Sequence, residues 1–551
     1  MSLSQTAVSN RLNAVKLSPS SLILVISAFI TLSCNSSFFS HFADEYSLSA
    51  NIGFFSAVTL IIFALTTQVL ALTQLLLPLS WSIALVLFIS VLSAYFCDQF
   101  GVVIDMEMIR NSLQTDVAEA TDLLSLSLFW RLSLLFLLPM ALVVLIPVQA
   151  QKSAWLQRLT SSSKLTVFAV LLIGLSVVSF SAQFTSFIRE HKPLRYYINP
   201  IQPLYSAIKY YSTQFSNADI QGFTLLANYS SVPTSDPNRE LIIMVVGETA
   251  RTDHFSLNGY ARNTNPLLSR EANLVFYPNI SSCGTSTAIS VPCMFSLSSQ
   301  DDFDVDTAEA TENAFDIIAK AGVSVLWRDN NSDSKGVAVR QPFQDFKSAK
   351  LNPQCDGDEG ANNECRDVGM LDGLQDYIDQ QPHDIFIVLH QMGSHGPAYY
   401  KRYPKDFEKF SPACQTAELS HCSDAEIINA YDNTILYTDY FLSKVIELLK
   451  SNAQKFQTSM MYVSDHGESL GENGLYLHGL PYAFAPKSQT QVPVMLWTDQ
   501  RSDINIIATR RQSQQANSHD AVAKTLVSLF EIETDVSFES VPDLIKFKGK
   551  K

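Results

Sequence analysis

TSMMYVSDHGE, residues 458–468, is an apolar, β-prone run that ends in two side chains able to bind a metal, Asp465 and His466. A matching run, LIIMVVGET at 241–249, leads to Glu248. Inside a strand, neighbouring residues point to opposite faces, so an Asp–His pair sharing one task must lie just past the strand end. The carboxyl ends of strands in open α/β sheets are also where ligands bind. A carboxylate at one strand end and Asp–His at another form a partial ligand set for a divalent ion, and zinc matches these N and O donors best. Read alone, the pair is better taken as an N-cap Asp beside a surface His. The second carboxylate and the hydroxyl cluster at 285–287 favour the metal.

Outward from these runs the texture continues. Strands are expected at Leu241–Val246, Val323–Trp327, Ile385–His390, Ser459–Val463 and Val492–Trp497, and helices at Ala308–Ala321, Val368–Gln380, Asp424–Lys450 and Asp520–Phe530. Such alternation predicts, over 239–551, an α/β domain with a mainly parallel sheet sandwiched by helices.

The N-terminal part differs. The chain is 47% apolar and 17% charged, and windows around 21–40, 52–72, 76–96, 130–149 and 165–184 each hold about 20 mostly apolar residues, enough to cross a hydrocarbon core. The first is not read as a signal peptide, because no clear small-residue cleavage site follows and further spans do. Residues 1–184 are thus expected to form a bundle of about five transmembrane helices, the second and third joined as a tight hairpin. Arg11 and Lys16 precede the first span, and Lys152, Arg158 and Lys164 separate the fourth and fifth. The loops at 41–51 and 97–126 are acidic. Positive residues stay inside, so everything after 185 is expected outside, which in a bacterial inner membrane is the periplasm.

Cysteines test this placement separately. Cys34 and Cys97 lie in the membrane half, whereas Cys283, Cys293, Cys355, Cys365, Cys414 and Cys422 fall as near neighbours in the soluble half. Of about 15 connectivities open to six cysteines, 283–293, 355–365 and 414–422 is the economical one. The gaps are too long for CxxC chemistry, and disulfides require an oxidising compartment. Residues 185–238, rich in Tyr with Lys192, Arg195 and Lys209, suit either an interfacial helix or a plain linker. A net charge of −15 argues against nucleic acid and leaves any anionic substrate to a local site.

The segment SCGTSTAISVPC, 282–293, holds the nucleophile candidates Thr285, Ser286 and Thr287 inside the loop that Cys283–Cys293 would close. A helix starting near Ala288 would turn its N-terminal amides to a phosphate oxygen. A hydroxyl needs a base or metal to become a nucleophile, and an ion on Glu248, Asp465 and His466 would lower its pKa. A Ser/Thr-rich turn with a capping duty explains one hydroxyl but not the covalent clamp. Which hydroxyl acts stays open at this level.

GETAR at 247–251, SCGTSTAISVPCMFS at 282–296, DNNSDSKGV at 329–337, HQMGSHGPAYY at 390–400 and SDHGESLGENGLYLHG at 464–479 together resemble the lipid A phosphoethanolamine transferases, a family that includes the mobile colistin-resistance enzymes. The resemblance spans nearly the whole chain. It implies a five-helix membrane anchor with an alkaline-phosphatase-like periplasmic domain, and transfer of phosphoethanolamine from phosphatidylethanolamine to lipid A. It makes Thr287 the nucleophile and, with Glu248, Asp465 and His466, a ligand of one Zn²⁺. His395 and His478 match histidines tied to substrate, a second metal or proton donation, and Ser332 and Lys335 match groups that hold phosphate. MIRNSLQTDVAEATD, within the 97–126 loop, resembles a donor-lipid loop, which places Asn111, Thr115 and Glu119 at the head group. No obligate protein partner is implied.

Bland readings remain for single residues. Lys335 could be a turn lysine, His395 and His478 capping residues, Glu119 a solvated acid, and His390, which ends an apolar strand, is taken as structural. Rival functions are a hydrolase of the same superfamily, a phosphoglycerol transferase or another glycan's phosphoethanolamine transferase, and a non-catalytic receptor. A formylglycine sulfatase would need a C/S-x-P-x-R context at its nucleophile, and the segment 282–296 that holds the candidates has none.

Overall fold

Pro78 and Asn35 set the shape of the N-terminal helices. The structure, a computed structural model, describes residues 17–114, 117–146, 155–217, 222–234, 238–355, 364–538 and 541–549. The chain divides into two compact units, Met1–Ile109 with Leu124–Ser212, and Arg110–Leu123 with Thr213–Lys551. Part of the expected donor loop thus groups with the second unit.

In the first unit α1 (Pro19–Ser33) and α2 (Ser36–Glu45) meet at a 57° bend. Asn35 leaves the helical region there, and its amide donates to the carbonyls of Ile30 and Thr31 at the broken helix end. Asn199 completes the joint, donating from its backbone to Asn35 Oδ1 at 2.9 Å. α3 (Leu48–Leu76) and α4 (Leu79–Phe100) form the expected hairpin, since the residue before Pro78 is forced out of the helical region. α5 (Leu126–Leu145) and α6 (Trp155–Ser179) follow. Among the described residues four helices, α3 to α6, are long and apolar enough to cross a membrane, and the bent α1–α2 pair brings the number to as many as five. Helix Ile201–Asn217 is amphipathic, with Tyr205, Ile208, Tyr211 and Phe215 exposed.

The second unit is built on an eight-stranded sheet. In chain order its strands are β1 (Glu240–Gly247), β2 (Leu274–Ser281), β3 (Ser324–Asp329), β4 (Phe343–Asp345), β5 (Ile385–His390), β6 (Gln457–Ser464), β7 (Gln491–Thr498) and β8 (Asn517–Ser518). They lie in the order β8-β2-β7-β6-β1-β5-β3-β4. All neighbours are parallel except β7, which is antiparallel to both β2 and β6.

The apolar runs are continuous because both faces are covered. Ile242, Met244, Val246, Trp327 and Phe386 face α7 (Thr287–Phe295), Ala314–Lys320 and α9 (Asp520–Leu529). Leu241, Ile243, Val245, Ile387 and Tyr462 face α8 (Asp424–Asn452). The Ser423–Glu426 capping box starts α8 where expected. The expected helix 308–321 is instead split, because Asn313 and Asp316 form a second capping box that restarts the chain at Ala314. The expected helix 368–380 starts only at Leu374, after Gly373 at φ +63°. β2, β4 and β8 were not expected from the sequence.

Candidate active site

Parallel register brings the two opening motifs together. Gly247 pairs with Ser464 across β1 and β6, so Glu248 and Asp465 leave the sheet side by side, and the Asp465 amide donates to Gly247 O at 2.9 Å. Only glycine fits at 247, since a Cβ would meet the Tyr462 hydroxyl at 2.5 Å.

All three candidate ligands are fully buried. His466 Nδ1 lies 2.9 Å from Gly467 O, so that nitrogen carries the proton and Nε2 presents its lone pair. Nε2 is 3.3 Å from Asp465 Oδ2 and 3.5 Å from Glu248 Oε1. Asp465 Oδ1 accepts from the amides of Thr249 at 3.0 Å and His466 at 2.7 Å, while Oδ2 has no hydrogen-bond partner among the described residues. Glu248 Oε2 accepts from Asn331 Nδ2 at 2.8 Å. One ligand atom from each of Glu248, Asp465 and His466 lies within 4.8 Å of the others. Three acceptors converging in a buried site, one of them an orphan, fit a cation.

Charge is shared unevenly. Burial would raise Glu248, but the imidazoles of His466, His395 and His478 and the Thr249 hydroxyl hold it down at about 2. Burial and the neighbouring Glu248 push Asp465 up to about 7. Burial lowers His466, and Asp465 and Glu248 outweigh it and raise it.

Thr287 opens α7 with Ser286 as its N-cap, and Cys283–Cys293 ties the loop before α7 to the helix. Its Oγ1 is 3.2 Å from Glu248 Oε2 and 3.4 Å from His466 Nε2. Thr285 instead donates to Leu480 O at 2.7 Å, so the fold separates hydroxyls that the sequence left equivalent. All six cysteines of the soluble half pair as the economical scheme predicted.

His478 lies 4.2 Å from His466, tilted by 44°, and 5.9 Å edge-on from His395, ring centre to ring centre. Its Nδ1 bonds Glu468 Oε2 at 2.9 Å, and Glu468 also accepts from Tyr399 at 2.8 Å. Burial raises Glu468 to about 8. Ser332 and Lys335 are buried in the turn that follows Asn331, with Lys335 at φ +48°. Asn111 lies on Met106–Gln114. Thr115 lies outside the described residues, and of Glu119 only its place in helix Val117–Asp122 is described. Asp122 of that helix meets Lys401 Nζ at 2.6 Å and Arg402 at 3.0 Å, and Arg402 Nε donates to His395 O at 2.7 Å.

Sequence reasoning passed over Thr249, Asn331, Glu468 and the Asp329–His390 pair. His390 Nδ1 bonds Asp329 Oδ2 at 2.8 Å, and its buried Nε2 has no partner among the described residues. Both sit at strand ends, His390 on β5 beside β1 and Asp329 on β3 one strand further out, which is the signal that could have flagged them.

A helix-covered mixed sheet gathering two carboxylates, an imidazole and a hydroxyl at its strand ends defines a sulfatase and alkaline phosphatase-like domain, and the Sulfatase family profile matches residues 240–532. The profile described as phosphoethanolamine transferase EptA/EptB matches residues 60–215. Phosphatidylethanolamine transferase Mcr-1 of Escherichia coli is 43% identical over 529 residues, covering 94% of this chain and 96% of that protein. Phosphoethanolamine transferase EptA of Escherichia coli K12 is 36% identical over 532 residues, covering 95% and 96%. The solved integral membrane protein lipooligosaccharide phosphoethanolamine transferase A of Neisseria meningitidis superposes with a TM-score of 0.87 at 32% identity, over 96% of this chain and 99% of that one. The chain belongs to the phosphoethanolamine transferase family.

Proposed function

We propose that this enzyme moves phosphoethanolamine from phosphatidylethanolamine to a phosphate of lipid A through a phosphoethanolamine–Thr287 intermediate. The observation that carries the reading is the Thr287 hydroxyl, held at a helix N-terminus 3.2 Å from Glu248 and 3.4 Å from His466. Glu248, Asp465, His466 and Thr287 would hold a zinc ion, which supplies Lewis acidity for the hydroxyl and a phosphoryl oxygen.

In the first half, Thr287 Oγ1 forms a bond to the donor phosphorus and gives up its proton to water, the cation that Glu248, Asp465 and His466 would hold making that hydroxyl acidic. The bond from phosphorus to the glycerol oxygen breaks, and diacylglycerol leaves carrying a proton from the His395–His478 side. In the second half a lipid A phosphate oxygen attacks the same phosphorus, the bond from phosphorus to Thr287 Oγ1 breaks, and Thr287 recovers a proton. Ser332, Lys335 and the first amides of α7 hold the phosphate, and Asn111, Thr115 and Glu119 hold the donor amine and phosphate.

Five membrane spans, counting α1–α2 as one, would put the catalytic domain in the periplasm, a reading that the disulfides and the basic residues at 11, 16, 152, 158 and 164 support. Both substrates are lipids, so an anchored site meets them where they reside. The added amine offsets lipid A charge and weakens the pull on cationic polymyxins.

Lipid A from a polymyxin-sensitive host expressing wild type or Thr287→Ala tests this by mass spectrometry. Wild type is expected to add one phosphoethanolamine mass and the variant none. An unmodified lipid A beside well-inserted wild-type protein would redirect the reading to another acceptor.

A further inference from the structure

Thr249 stands between two of the candidate ligands. Its φ of +58° lies in the left-handed region, which a β-branched side chain rarely enters. The residue is fully buried and held from several directions. Its carbonyl accepts from the Tyr431 hydroxyl at 2.8 Å, and that hydroxyl accepts from the Arg251 amide at 2.9 Å. The next amide, Ala250, donates to Ser464 Oγ at 2.8 Å and pins the turn to the end of β6.

This conformation gives one residue two ligands to orient. The Thr249 amide donates to Asp465 Oδ1 at 3.0 Å, and its hydroxyl donates to Glu248 Oε1. Viewed down the N–Cα bond, the angle between N–H and Cβ is set by φ alone. Returning φ to the negative region would swing the hydroxyl away from Glu248 while the amide stayed on Asp465, so both bonds require the strained form. Such strain persists only where its surroundings over-determine it.

We propose that Thr249 is a positioning residue for the divalent cation. One strained residue fixes the rotation of both carboxylates and leaves Asp465 Oδ2, an orphan among the described residues, to face the ion. The inference rests on reading Glu248, Asp465 and His466 as cation ligands, and its test keeps the two claims apart.

Full-length protein in detergent, stripped of metal, would be titrated with zinc against a chelating indicator, and the melting temperature of the metal-free form read in parallel. Wild type is expected to bind more tightly than Glu248→Gln, and equal binding would overturn the cation reading and this proposal with it. Thr249→Ser keeps hydroxyl and amide and is expected within about threefold of wild type, whereas Thr249→Val should weaken zinc about 10–100-fold, as for other groups that orient ligands. Thr249→Gly loses the hydroxyl but relieves the backbone, so its affinity should fall while the metal-free melting temperature holds or rises. A Thr249→Val protein that binds zinc as wild type does would sink the proposal. So would a Thr249→Gly protein whose metal-free form melts lower, which marks a merely structural residue.

Discussion

Buried polar side chains do opposite work in the two units. In the membrane unit the buried hydroxyls of Thr31, Thr67 and Ser90 bond within their own helix, donating to Ser27 O at 2.8 Å, Phe63 O at 2.8 Å and Val86 O at 2.7 Å. Apolar residues there turn outward, with Val144 74% and Val178 76% exposed. In the catalytic unit Trp327, Phe386 and Tyr462 are enclosed, and buried polar groups bond across the chain, as Asn331 does to Glu248 and Thr249 to Asp465. A hydroxyl satisfied one turn back is structural; acceptors gathered from distant segments and left incompletely satisfied make a site. Solvent explains the inversion, since lipid rewards apolar surface and demands local backbone and side-chain bonding.

The contrast can be broken at its extremes. Glu248→Gln is expected to cut transfer on the order of 10³-fold, about 4 kcal/mol of barrier, with little change in melting temperature. Thr67→Val, which removes a self-contained hydroxyl, should leave transfer within about twofold. Comparable losses in both assays would refute the distinction. Packing gives the next effect: Phe386→Ala should destabilise the catalytic unit by about 3–5 kcal/mol, while Leu171→Ala, an outward position at 68% exposure, should cost about 0.5 kcal/mol or less. Denaturation of each variant decides it.

His519 sharpens the point through pH. Its Nδ1 accepts from the Cys283 amide at 3.2 Å and its Nε2 faces Ser464 O at 3.0 Å, a neutral ring bridging two segments. Burial lowers its pKa from 6.5 to about 3. Between those values the unfolded chain binds a proton that the folded one does not, so stability is full above the unfolded pKa and drains as pH falls toward 3. From pH 7 to 5 wild type should lose about 2 kcal/mol from this group. A His519→Gln protein, less stable at pH 7, should show a flatter slope, and an unchanged slope would remove His519 as the cause.

The smallest effect concerns the segment nearest the donor loop. Asp122→Lys or Lys401→Asp alone should raise the KM for donor lipid about fivefold, roughly 1 kcal/mol. The double swap should recover most of the loss, while cleavage of a soluble phosphodiester by the same proteins stays level. Failure of the swap to rescue would separate the ion pair from donor placement.

Local chemistry made several features readable in advance. Apolar windows of membrane-spanning length, the runs ending at Glu248 and Ser464, the Ser423–Glu426 cap and the short cysteine gaps each depend on neighbours in sequence. Their periodicity or spacing is the physical signal itself. Other features exist only once distant segments meet. The antiparallel placement of β7 depends on which partners flank it, not on its apolar run. Thr287 is distinguished from Thr285 only because Leu480 O takes the latter. His390 is aimed by Asp329 from another strand, Arg402 joins Asp122 to the carbonyl of His395, and Thr249 takes its left-handed turn because Asp465, Glu248 and Tyr431 hold it there. The residue types were visible in the sequence, but their roles depend on strand register and layer packing, which bring together groups that no sequence window contains.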